Sequence, residues 1–408
     1  MKKSYTVKRS FTNIILFFKK ETVLCIAALL AAISALFVPP SAEYLDYIDF
    51  RVLALLFCLM LVVAGFQSIG FFRRLAERLL AGVKSTRILC LFLVALCFFS
   101  SMLITNDVAL ITFVPFAVML LTMAKQQKLL IPVVVLQTIA ANLGSMLTPV
   151  GNPQNLYLYS AFQIPMGTFL CDMLPLTLIS AVMLLICIFL LPNQALTALQ
   201  PSDTLQQNAA GTPHSLNSES QPTPVKTATG FAKRHTSGRL LAYLAMFAVC
   251  LLCVLRILPW PAMLILLVIS VCFLDRQLFR SVDYFLLLTF ICFFLFTGNI
   301  ERIPAVSAFL RSLVEDRELL LGTVLSQCIS NVPAALLLSG FTENVRPLLY
   351  GVNIGGLGTL IASLASVISF RLYGNSKDAK KGAYMKAFTL SNLLFLLVLY
   401  GAASLLLC

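Results

Sequence analysis

Histidine is nearly missing from this chain, and the two present, His214 and His235, fall in a polar stretch away from the apolar runs. That excludes His-based metal centres and Ser–His nucleophile pairs from the apolar segments. Charge is scarce too: 12% of the residues are Asp, Glu, Lys or Arg, against 59% hydrophobic. Such a balance lies outside soluble globular domains and inside polytopic membrane proteins, where burial means burial in lipid. The chain offers no HExxH string, no Ser–His arrangement and no acidic cluster facing its apolar spans, so we expect no enzyme and no cofactor. The 12 cysteines stand singly in apolar segments, apart from Cys250 and Cys253 inside one long run, and read as small lipid-compatible residues.

What the chain does have is a series of apolar runs separated by basic loops. The formal charge of +13 suggests nucleic acid only in a soluble protein. Here the basic residues sit between the runs, where they orient the chain in a bilayer, and no nucleic-acid partner is expected. Crossing helices are predicted at 22–38, 50–70, 130–160 and 168–192, then at 240–257, 261–274, 283–298, 345–370 and 384–407. The runs at 130–160 and 345–370 are broken in the middle. The first, of about 26 Å as a helix, is read as a retained span and not as a signal peptide. The stretches 88–124 and 319–342 differ: each is apolar, interrupted midway and flanked by polar residues suited to one membrane face. They are predicted to be re-entrant hairpins ending near the midplane. With this topology most of the 30 basic residues, among them Lys19, Arg73, Arg87, Lys125, Arg239 and Arg371, fall on one side. That side is then cytoplasmic, with the N-terminus on it.

The same topology makes the span near Gly65 exit inward and its counterpart near Gly298 exit outward, so the repeats are inverted. They are assigned to 1–192 and 239–408. Each carries an amphipathic segment suited to the interface, Phe71–Lys84 and Ile303–Val314. Between the repeats, 193–238 is rich in Gln, Ser, Thr, Pro and Asn and is expected to be a disordered cytoplasmic linker. The fold class expected is therefore an all-α polytopic membrane protein of inverted repeats, with two re-entrant hairpins and two broken transmembrane helices.

Two sets of residues recur in the same order. The first is Thr105, Asn106 and Asp107, followed by Asn142, Gly144, Ser145, Thr148 and Asn152; the second is Ser330 and Asn331, followed by Asn353, Gly355, Gly356, Thr359 and Ser363. Laid over one another, Asn106 meets Asn331, Asn142 meets Asn353, Gly144 meets Gly355, Thr148 meets Thr359 and Asn152 meets Ser363. Helix breaks expose carbonyls on one side and N–H groups on the other, which together can hold a cation and an anionic group. Each set is expected to line one substrate or ion site, with no metal beyond a possible sodium. The competing reading is that Gly, Ser and Thr serve close helix packing while each Asn bonds a neighbouring helix. Pro115, Pro149, Pro153 and Pro333 read as helix-shaping residues. Asp107, which meets Val332, is the one acidic residue set deep in an apolar run. A carboxylate there marks an ion or proton pathway, or caps the second hairpin arm. If ionised, it repels an anionic cargo unless a cation accompanies it; a proton, a metal ion or a neutral cargo suits it better.

At these residues the chain resembles the ion transporter superfamily of divalent anion:sodium symporters, citrate transporters, arsenite permeases and sodium/proton antiporters. Thr105-Asn106-Asp107 is similar to the Asn-Asp hairpin tip of the arsenite and antiporter branch. Ser330-Asn331 resembles the Ser-Asn tip of the dicarboxylate branch, and Thr148 to Asn155 resembles the first broken-helix motif. The resemblance implies a homodimer in which hairpins and broken helices move as an elevator against a scaffold of early spans. It also implies an ion-coupled secondary transporter of the bacterial inner membrane, carrying a small anion (carboxylate or oxyanion) with Na+ or H+ as coupling ion. Asn106 and Asn331 would contribute to ion sites, with Gly144 and Gly355 at the breaks. An arsenite-type efflux permease or a sodium/proton antiporter is the alternative within the superfamily; a passive channel is the alternative outside it.

Overall fold

The computed structural model describes residues 21–80, 83, 85–195, 236–376 and 379–408. The predicted linker, save 193–195 and 236–238, lies outside the described residues, as do Lys84 and the N-terminal lysines. The architecture is helical: among the described residues the only β pairing is an isolated bridge between Ser85 and Ala195. An apolar chain that satisfies its backbone inside each segment can enter lipid, which is why long hydrophobic runs become helices here.

The first half contains α1 (Thr22–Phe37), α2 (Phe50–Ser68), the short α3 (Phe71–Leu80), the helix pair α4 (Thr86–Ser100) and α5 (Asn106–Met123), then α6 (Leu130–Ser145), α7 (Pro153–Ala161) and α8 (Met166–Phe189). The second half contains α9 (Thr236–Val254), α10 (Trp260–Leu274), α11 (Tyr284–Glu301), the short α12 (Pro304–Val314), the pair α13 (Glu318–Ile329) and α14 (Asn331–Ser339), then α15 (Val345–Ile354), α16 (Leu364–Gly374) and α17 (Lys381–Leu407). From α2 and from α11 onward the order is the same: long helix, short helix, helix pair, interrupted helix, long helix.

Six helices among the described residues are long and apolar enough to cross a membrane. They include α5, which was expected as a hairpin arm; at 18 residues it reaches about 27 Å. Conversely, α1 and α10 have 16 and 15 residues, near 24 and 22 Å, and fill a 30 Å hydrocarbon layer only with their flanking residues. Leu36, Phe37, Phe273, Leu390 and Leu405 stand exposed on α1, α10 and α17, surface that belongs in lipid.

Matched positions in the two halves are held by matched contacts. Asp49 caps α2 by accepting from Val52 N–H at 3.0 Å, and Asp283 caps α11 by accepting from Leu286 N–H at 3.0 Å. Late in α2, Gly65 lies against the Tyr243 ring; late in α11, Gly298 lies against the Tyr47 ring. The helix pairs dock on the interrupted helices in the same way, with Gly144 against Phe98 O and Ser101 Oγ, and Gly355 against Ser326 Oγ. A side chain at Gly144 or Gly355 would push the helices apart, and one at Gly65 or Gly298 would displace a tyrosine ring.

That close approach gives a direct test. A Cβ on Gly144 would lie 2.1 Å from the Phe98 carbonyl oxygen, whereas one on Gly167 in α8 meets nothing within 4 Å. Gly144→Ala is therefore expected to lose on the order of 1–3 kcal/mol through overpacking. Gly167→Ala should be neutral or stabilising by up to about 1 kcal/mol. Thermal unfolding of the purified protein in detergent checks both; equal midpoints would refute the tight docking of α4 on α6.

Candidate functional site

Both interrupted helices break by the same local sequence of conformations. After α6, Thr148 is extended (φ −123°, ψ 153°), Pro149–Gly151 make one 3-10 turn, and Asn152 is extended again before α7. After α15, Thr359 is extended (φ −75°, ψ 161°), Leu360–Ala362 make one 3-10 turn, and Ser363 is extended before α16. Proline explains the first restart: Pro149 and Pro153 each open a helical turn, where a missing N–H costs nothing. Asn152 then caps α7, its Oδ1 accepting from Asn155 N–H at 3.0 Å. In the second break Gly358, at φ +97°, makes the turn that a residue with a Cβ would resist.

The expected residues come together, although not as two separate sites. Asn142, at the end of α6, links three elements. Its Oδ1 accepts from Asn106 Nδ2 at the α5 tip (2.9 Å) and from Ser363 Oγ at the other break (3.0 Å), while its Nδ2 donates to Gly356 O (3.4 Å). Asn353, its counterpart, donates to Asn155 Oδ1 (2.7 Å) and accepts from Asn152 Nδ2 (3.2 Å), which also donates to Ser145 Oγ (3.2 Å). Each amide thus reaches across to the opposite half, and the two sets fuse into one buried network. Asn106, Asn142, Ser145, Asn152, Asn353 and Ser363 are all buried.

The remaining members hold backbone. Thr148 Oγ1 donates to Met102 O in the α4–α5 turn, and Thr359 Oγ1 donates to Gln327 O in α13 (3.0 Å), so each threonine ties its break to its own helix pair. Thr359 is exposed and stands apart from the network. The α13–α14 tip is the single residue Ser330, which takes φ 78° without being glycine and donates to Ala362 O at 3.4 Å. A non-glycine residue in that conformation stores strain of about 1–3 kcal/mol, which only a surrounding structure that fixes it can hold. Gly144, Gly355 and Gly356 let the pairs approach, Gly356 lying against the Asn331 amide. Thr105 precedes α5 without a side-chain cap bond.

Asp107 is the exception. Its backbone N–H is taken by Asn106 Oδ1 (2.9 Å), but its own Oδ1 is buried with no partner among the described residues. The capping role open to it in sequence is not the one it plays. Its side chain lines a cavity of about 310 Å³ together with Thr105 and Asn152 from the expected set. Gln67 from α2, with Ser281 and Asp283 at the start of α11, completes the polar part of the lining; the remainder is apolar and none of it is basic. The cavity therefore offers two carboxylates, hydroxyl and amide oxygens, and no fixed cation.

Reading residues in order missed three contributors. Asn155 sits in the recognised run yet was not expected to bond; it bridges Asn353, Met146 O and Thr148 O. Gln327 caps the open end of the second break, donating to Gly355 O (2.8 Å) and Leu357 O (2.9 Å). Asp283 caps α11, and only folding brings it to the cavity. An amide within an apolar helix was the available signal for Gln327.

The chain is similar to known proteins over most of its length. A family model described as citrate transporter matches residues 14–349. An uncharacterized transporter of Methanocaldococcus jannaschii is 30% identical over 362 residues, 88% of this chain and 91% of that protein. The inner membrane protein YbiR of Escherichia coli is 28% identical over 332 residues, 80% of each chain. A shorter stretch of 146 residues, 35% of this chain and 30% of the relative, is 31% identical to the silicon efflux transporter LSI3 of Oryza sativa subsp. japonica.

The shared amide of Asn142 predicts coupling between the halves. Asn142→Ala and Ser363→Ala should each cost about 1–3 kcal/mol by stranding a buried partner. Together they should cost less than their sum, by about 0.5–3 kcal/mol. A double-mutant cycle in denaturant reads the difference, and strict additivity would argue against a bond between them.

Proposed function

From the premise that the chain belongs to the citrate transporter family, we propose that this membrane transporter is an ion-coupled secondary carrier of a small oxygen-rich anion, a carboxylate or oxyanion, driven by Na+ or H+. The observation that carries this reading is Asp107: an unpartnered carboxylate at a helix-pair tip, facing a cavity one bond away from the Asn106–Asn142 network. A carboxylate at such depth is retained for ion or proton traffic. An anion entering beside Asp107 and Asp283 meets repulsion, and no lining residue is basic, so it must bring a cation or a proton. Broken-helix ends add the partial charges of their dipoles, positive at the start of α7 and α16 and negative at the end of α6 and α15.

The repeated element order and the matched glycine and cap contacts support an inverted duplication, with α4–α5 and α13–α14 as re-entrant hairpins. On this reading the hairpins, broken helices, α8 and α17 form a unit that moves as an elevator against α1, α2 and α9–α11 in a homodimer. The bilayer would be a bacterial inner membrane, the name given to the Escherichia coli relative being in keeping with that. The two carboxylates also favour one second reading, in which the cargo crosses uncharged, as in arsenite-type efflux, or is itself a cation, as in sodium/proton exchange.

The test is accumulation in proteoliposomes under separately imposed sodium and pH gradients, with citrate and arsenite as probes. Gradient-driven accumulation of citrate is expected, and Asp107→Asn should reduce it by at least about tenfold, the effect of losing some 1.4 kcal/mol of coupling. Exchange of internal for external citrate should persist. Accumulation of citrate indifferent to Asp107→Asn would overturn the coupling role, and accumulation of arsenite alone would select the second reading.

A further inference from the structure

At the end of α7 away from the cavity, α7 and α9 hold each other reciprocally. Both helices close with two inward-folded hydrogen bonds: Gln163 N–H to Ser160 O and Ile164 N–H to Tyr159 O on α7, Arg256 N–H to Cys253 O and Ile257 N–H to Leu252 O on α9. This termination needs a left-handed residue, ordinarily glycine. Here Gln163 (φ 49°) and Arg256 (φ 62°) occupy those places at a steric penalty that glycine would avoid.

The Arg256 side chain does what glycine cannot. Its guanidinium donates to three carbonyls at the end of α7, Gln163 O (3.0 Å), Tyr159 O (3.3 Å) and Ile164 O (3.5 Å), and lies 5.3 Å from the centre of the Tyr159 ring. A cation there meets the negative end of the helix and the face of an aromatic ring. In return the Tyr159 hydroxyl donates to Val254 O at the end of α9 (2.9 Å). Next to it, Ser160 Oγ donates to Asp49 Oδ2 at the start of α2 (3.3 Å).

The position of this clasp gives it a meaning. The cavity touches α7 at Pro153 and Leu156, near its beginning, and α2 from Leu56 to Gln67. The clasp grips the end of α7 and, through Asp49, the end of α2, about 10 Å along that helix from Leu56, where the lining begins, and about 27 Å from Gln67, where it ends. We infer that the α7–α9 clasp is the closed gate on the face opposite the cavity, with Arg256 as the positioning residue that must let go before that face opens. The inference rests on the carrier reading above, because a gate of this kind has a use only if access alternates. It also explains why arginine stands where the backbone favours glycine.

Arg256→Gly separates the two roles, since it relieves the backbone while removing the grip. The readout is labelling by a membrane-impermeant maleimide in nanodiscs, using Ser160→Cys at the clasp and Ser281→Cys at the cavity, each against the parent chain with its native cysteines. In the Ser160→Cys background, Arg256→Gly should raise the labelling rate about tenfold, the factor expected for losing charged hydrogen bonds. In the Ser281→Cys background it should lower the rate. Arg256→Lys, which keeps the charge without the fork, should fall between, and Tyr159→Phe, which removes one hydroxyl, should move both rates in the same directions by less. Unchanged labelling at position 160 overturns the inference, as does a rise at both positions, which would signal general loosening. The readout needs no cargo, so a wild-type protein that moves neither citrate nor arsenite leaves this test standing and fails only the functional reading.

Discussion

Unwound backbone inside an apolar protein must find partners, and the rest of this structure is arranged around that demand. Two helices stop and restart after one 3-10 turn. With lipid outside and apolar side chains around them, the freed carbonyls and N–H groups have only protein to bond. The answer is a set of side-chain amides at the breaks, above all Asn142, bonded to Asn106 in its own half and Ser363 in the other, and Asn353, bonded to Asn152 and Asn155 in the opposite half. Asparagine suits the task because one short side chain donates and accepts at once. Glycine at 144 and 355 then allows the helix pairs to come close enough for the amides to meet.

The two halves answer the same demand with different details, and the differences fall at the tips. One tip is a turn through Ser101–Thr105 that ends in Asn106 and Asp107; the other is the single strained residue Ser330. Asp107 faces the cavity, whereas Val332 in the matching place cannot carry charge. Two halves of like element order with one charged tip put the electrostatic asymmetry where the cavity is. The clasp at Arg256 is a second asymmetry, placed at the other end of α7.

Much of the local structure was legible in order along the chain. The breaks at Thr148–Asn152 and Thr359–Ser363, the tips at Asn106 and Asn331 and the short helices after α2 and α11 all stand where composition and small polar residues put them. Proline before the restarts, glycine at the close approaches and amides inside apolar runs are local signals with local causes. The expected division into two site clusters did not anticipate that Asn142 bonds Ser363 and that Asn353 bonds Asn152 and Asn155. Those pairs are separated by about 200 residues, and spacing along a chain carries no information about which distant break a side chain will face. Asp283 went unrecognised as a cavity residue for the same reason, its local role as a helix cap being complete in itself.

By itself, the amino-acid order determined that this chain lives in a membrane, where its helices begin and break, and which polar residues lie at the breaks. Each of these follows from the cost of exposing backbone or charge to hydrocarbon, a cost settled within a few turns of helix. Only the tertiary structure decided that the two sets of asparagines form one network, that Asp107 and Asp283 share a cavity whose lining holds no basic residue, and that Arg256 reaches across to the end of α7. Those outcomes depend on how helices far apart in sequence lie against one another, and that is set by the packing of whole faces.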